Sequence, residues 1–159
     1  MKKILSLLLL SVFFCVSLTG CGEKQELTNY KKEMDKIFSE IETIHVKMNS
    51  INPESETALD ELFNCLDELN NLFKAMATLD VPQDFVSIEN LADEASENMS
   101  LAVENYRNAY TNESYNEHTA ATADEYYKRA NKRLQYIIDI LHGEIPEGND
   151  ISIVDTTEE

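Results

Sequence analysis

At 159 residues, with 13 basic and 30 acidic side chains and a net charge of −17, the chain has the length of one domain and a surface that repels nucleic acid and anionic headgroups. Four glycines, three prolines and no tryptophan, beside abundant Glu, Asn and Lys, argue against a turn-rich β fold and for helix. No nucleic-acid partner is expected.

Met1-Lys2-Lys3 is a short basic start, and Ile4 to Leu18 is an apolar run broken only by small residues. A bilayer span needs about 20 residues, so the run is too short to cross and fits the apolar region of a secretory signal. It closes on Leu18-Thr19-Gly20-Cys21. Basic start, apolar run, small residues and cysteine, in that order, resemble the lipobox of bacterial lipoproteins. The resemblance implies a diacylglyceryl group on the Cys21 thiol and cleavage between Gly20 and Cys21. Residues 1–20 would be a lipoprotein signal peptide, and 21–26 a lipidated tether. Each buried methylene contributes about 0.8 kcal/mol, so two acyl chains hold a protein stably on a membrane. The implied location is the extracytoplasmic face of the cell membrane, with no cofactor beyond the lipid on Cys21. Cys15 would leave with the signal. The mature chain would keep 11 basic against 30 acidic residues, a net of −19. Cys65 then has no disulfide partner and reads as a small buried residue.

Helical periodicity begins at Leu27. Leu27, Tyr30, Met34, Ile37, Ile41, Ile44, Met48 and Ile51 recur in steps of three and four, which puts them on one stripe. Asn52-Pro53 ends this helix and is placed to cap and start the next. The second stripe is Leu59, Leu62, Phe63, Leu66, Leu69, Phe73 and Met76, stopping near Leu79 before Val81-Pro82. The third runs from Phe85 through Ile88, Leu91, Ala92, Ala95, Met99, Ala102, Val103, Tyr106 and Ala109 to Tyr110 and is rich in alanine. After the polar break 111–114, with Asn112 or Ser114 as cap, the fourth stripe is Thr119, Ala123, Tyr126, Ala130, Leu134, Ile137 and Leu141, and Gly143 is the stop. Small residues on the third and fourth stripes predict a close approach of those two helices. Similar lengths of about 25–28 residues and short links predict an all-α fold: an antiparallel up-down-up-down four-helix bundle over 27–142. Residues 143–159 form an acidic tail without helical periodicity that is expected to be disordered unless Ile151, Ile153 and Val154 dock against the bundle.

Chemistry-bearing patterns are sparse. Glu42-Thr43-Ile44-His45 and Asp139-Ile140-Leu141-His142 each resemble half of a carboxylate-bridged di-metal centre. Such centres need both motifs at one level with a Glu from each of two further helices. Here the two motifs fall roughly 20 Å apart along the axis, and the second and third stripes offer no Glu, so no metal site is expected. His45 is expected at the core edge with a hydrogen-bond partner. Lys128, Arg129, Lys132 and Arg133 form the one basic cluster. It could dock an acidic partner or a polyanionic cell-wall polymer, or be neutralised by Asp124 and Glu125 four residues earlier. Among the tyrosines, Tyr106, Tyr110 and Tyr126 are expected in the core. No nucleophile–base set, nucleotide loop, EF-hand or zinc spacing appears, so no enzyme is expected.

The globular part resembles the small all-helical lipoproteins of uncharacterised role, a likeness of architecture that implies no site residues. The expected function is a membrane-anchored binding or scaffolding module for an extracytoplasmic protein or cell-wall polymer. The alternative is a ligand- or metal-ion-sequestering lipoprotein using the acidic surface. Replacing Cys21→Ala is expected to leave uncut, unlipidated precursor in membrane fractions; mature, membrane-bound mutant protein would refute the lipobox reading.

Overall fold

A computed structural model describes residues 19–111 and 114–144. Processing of the leader, modification at the Cys21 side chain and docking of the tail beyond 144 lie outside the described residues. The fold is all-helical. Four helices follow one another: α1 (Thr19–Asn49), α2 (Ala58–Ala77), α3 (Val86–Ala109) and α4 (Glu117–Leu141). A short 3-10 turn, Gln83–Phe85, leads into α3. Two residue pairs, Tyr110 with Tyr115 and Thr111 with Ser114, form a small antiparallel ladder between α3 and α4. None of the described helices is long and apolar enough to cross a membrane.

Helix ends differ from the sequence expectation in four places. α1 already begins at Thr19, so residues 21–26 continue the helix instead of forming a separate tether. Glu23-Lys24-Gln25-Glu26 are good helix formers with no breaker among them, and Gln25 Nε2 donates to Asn29 Oδ1 at 3.0 Å. α2 begins at Ala58 and spans 20 residues. Asn52 Oδ1 accepts from the Glu54 amide, Ser55 Oγ from the Thr57 amide, and the Thr57 hydroxyl bonds Glu61. These local bonds hold residues 52–57 in turns that compete with helix. The cap of α4 is Asn116, whose Oδ1 accepts from the Thr119 amide at 3.1 Å. Ser114 does not serve, because it pairs with Thr111 in the ladder and Asn116 N bonds Ala109 O, and Asn112 lies outside the described residues. The fourth concerns lengths: α1 has 31 residues and α2 has 20, so the four are not matched.

The α4 stop is as expected. Gly143 has φ +80, its amide bonds Ile140 O, and the Glu144 amide bonds Asp139 O at 2.8 Å. That pair of bonds is a Schellman cap, and the left-handed position is why glycine suits it.

The predicted stripes meet in one core. Met34, Ile41, Leu66, Leu69, Phe73, Met76, Ile88, Met99 and Ile137 are all but inaccessible, as is Cys65. α4 corrects one assignment. Tyr127, not Tyr126, packs against the core, because Ala120, Ala123, Tyr127, Ala130, Leu134, Ile137 and Leu141 make the regular row. Tyr136, absent from the predicted stripe, is buried.

Consecutive helices meet through named pairs. Lys47 reaches Glu68 at 3.0 Å, Arg107 reaches Asp67 at 2.5 Å, and Arg133 reaches Glu94 at 2.5 Å. Lys31 Nζ donates to Leu141 O at 3.2 Å, which brings the end of α4 beside the first half of α1. Backbone contact is most extensive between α3 and α4. Ala92, Ala95, Ala102, Ala109, Ala120, Ala123 and Ala130 are buried along these two helices, as their small size predicted.

Overpacking a filled core costs about 1–3 kcal/mol. Ala130→Leu is therefore expected to lower unfolding free energy in urea by that amount. Ala121→Leu, at an exposed position of the same helix, should stay within about 0.5 kcal/mol. Equal effects would place the tight contact elsewhere.

Candidate functional site

A surface groove runs between α1 and α4. It encloses about 550 Å³ and is floored by Phe38, Ile41, Leu134 and Ile138. Asp35, Ser39 and Glu42 form its α1 rim; Asn131 and Gln135 form its α4 rim. A crevice of about 300 Å³, lined by Met48, Asn49 and Tyr127, continues it past His45 and Asn131.

Local sequence explains the space. The rim residues lie one or two positions off the core rows of their helices, and their polar side chains do not fill the gap. The amides do not bridge it either. Asn131 Nδ2 donates to Tyr127 O at 2.9 Å, and Gln135 Nε2 donates to Asp139 Oδ1 at 2.7 Å. Both thus bond back along α4.

His45 sits where groove and crevice join. Its ring meets Tyr127 edge-on, with centroids 6.2 Å apart. Nε2 is buried without a hydrogen-bond partner, contrary to the expected satisfied histidine. Burial pushes the imidazole pKa down, so His45 is neutral at pH 7. Burial raises the Tyr127 phenol, with a hydrogen bond from Asn131 offsetting part of the effect. Nε2 engages no hydroxyl or thiol, so the pairing that activates a nucleophile is missing there.

The other candidates separate. Among the described residues no group of three or more His, Cys, Asp or Glu is placed to hold a metal ion. His142 caps α4 at the end that meets α1 near Lys31, far from the Glu42 level. In the basic cluster Lys128 pairs with Asp124 at 2.6 Å and Arg133 with Glu94, while Arg129 lies over the Tyr126 ring and Lys132 over Tyr136. Arg129 thus takes an aromatic neighbour instead of the expected Glu125. Burial raises the Cys65 thiol pKa and keeps it protonated.

Two features escaped sequence reasoning. Tyr30 is buried with its hydroxyl unpartnered, and burial pushes its pKa up to about 12. It borders a second crevice of about 410 Å³ near Leu79 and Pro82. At the opposite end, Tyr115 is 57% exposed and stacks on Tyr110, which meets Phe63 under the Arg107 guanidinium.

A histidine pKa lowered by folding leaves stability untouched above its unfolded value of about 6.5. Below it the unfolded chain takes up the proton first, and the native state loses ground. Asp35 and Glu42 on α1 and Tyr127 on α4 are the titratable groups of the groove and crevice that His45 joins. Moving from pH 7.5 to 5.5 should therefore lower the urea midpoint of the wild type more than that of His45→Gln. Parallel losses would show a hydrated, unperturbed imidazole. Comparisons of the chain with protein-family models, with curated proteins and with solved structures return no match.

Proposed function

We propose that this chain is a membrane-anchored extracytoplasmic lipoprotein acting as a binding or scaffolding module at the cell surface. In this reading the four helices make an antiparallel up-down-up-down bundle. Its support is the sequence of contacts from Lys47–Glu68 through Arg107–Asp67 and Arg133–Glu94 to Lys31–Leu141. The anchoring part is supported by Leu18-Thr19-Gly20-Cys21 behind a basic start and an apolar run. The anchor confines the domain near the membrane and raises its effective concentration there.

The observation that carries the binding part is the α1–α4 groove, with its apolar floor and polar rims. It opens to the surface, so the module works through helix faces and not through a deep pocket. Sequestration inside the protein would gain from a polar inner layer. Among the described residues, every buried residue is apolar.

Photo-crosslinking residues placed at Gln135 and, as a control on α3, at Glu97 test this in native membranes. Adducts from position 135 should exceed those from 97, and should fall when Cys21→Ala removes the anchor. Their mass tells a protein from a small ligand. Uniform labelling from both positions would refute a groove-based module.

A further inference from the structure

The charged side chains that line the groove, Asp35 and Glu42, are both carboxylates. Both are exposed and enter no ion pair among the described residues. Asn131 and Gln135 donate one bond each within α4, and their carbonyl oxygens, with the neutral His45 imidazole and the second N–H of Gln135, complete the polar lining. The Ser39 hydroxyl can accept as well. No Lys or Arg lines the groove.

Two carboxylates with no Lys or Arg among the lining residues repel anions and give a neutral hydroxyl compound no charge to pair with. The tail after Glu144 is itself rich in Asp and Glu, so like charge opposes its entry. A cation with many N–H donors fits both rims. The floor adds a second demand. Phe38, Ile41, Leu134 and Ile138 offer apolar surface between the rims, so the ligand needs methylene stretches between its charges. From Asn131 to Ile138 the α4 wall rises about 10 Å, and from Asp35 to Glu42 the α1 rim rises about as much. The groove is therefore long and narrow with charge along one edge.

From this lining we infer that the α1–α4 groove binds a linear aliphatic polyamine. Ammonium groups pair with Asp35 and Glu42, remaining N–H donors reach the Asn131 and Gln135 oxygens, and methylenes lie on the apolar floor. The inference rests on reading this groove as the protein's binding surface.

The test uses full-length protein in nonionic detergent, titrated with 1,8-diaminooctane by calorimetry, with 1,8-octanediol as the neutral analogue. The diamine is expected to bind and the diol not. Asp35→Asn combined with Glu42→Gln should weaken the diamine about tenfold, since both exposed ion pairs are lost. Asp93→Asn with Glu97→Gln removes the same charge from the exposed face of α3 and should change affinity less than about twofold. Equal losses in the two double variants would show unspecific attraction to an acidic surface and overturn the assignment. So would absence of diamine binding. If crosslinking from Gln135 persists in either case, the polyamine assignment fails while the binding module stands.

Discussion

The contact on which the rest depends is the alanine-lined seam between α3 and α4. Seven buried alanines let these backbones come together more closely than bulkier residues would allow. Helices packed around one core cannot all be equally close. With α4 drawn onto α3, α1 meets α4 through long side chains: Lys31 to the end of α4, and His45 to Tyr127. The groove is the space between those two contacts. Close packing on one side of α4 and an open seam on the other are one geometric fact.

Stability and order come from different parts of the molecule. Burial of Phe73, Leu66, Leu69, Met34, Met76, Met99, Ile88 and Ile137 supplies the driving force, because no buried residue among those described is charged or polar. The ion pairs between consecutive helices are half-exposed for the most part and worth little individually. Their value is positional. Lys47–Glu68 and Arg107–Asp67 fix α1 and α3 to one level of α2, Arg133–Glu94 fixes α4 to α3 elsewhere, and Arg107 over Phe63 and Lys31 over Phe85 add aromatic contacts near the ends. An apolar core fills space well but discriminates poorly between helix registers, and these peripheral pairs supply discrimination.

Periodicity made most of the fold legible. The buried rows of α1 and α3 follow the steps of three and four seen in the sequence, and the alanines announced the close seam. Legibility failed where a choice depended on neighbours. Tyr126 and Tyr127 are adjacent, and only the phase of the whole α4 row decides that Tyr127 turns inward. Asn112, Ser114 and Asn116 are all good caps, and the choice of Asn116 follows from the Tyr110–Tyr115 ladder. The groove was less visible still. Asp35, Ser39, Glu42, Asn131 and Gln135 look like two solvated helix faces. Only the separation between two helices distant in sequence makes them opposite walls of one space.

That separation in sequence also orders how the molecule comes together. Seven residues, 110–116, join α3 to α4, so their pairing closes a short loop at small entropic cost. The Lys31–Leu141 contact spans 110 positions and closes a loop that takes in most of the described chain. Local pairings form early and distant ones late. By loop length alone, the α1–α4 contact closes after the pairings between consecutive helices, whose links are short. The same ordering holds for opening: losing the α1–α4 contact leaves every short-link pairing in place, so the groove can widen while the alanine seam stays shut.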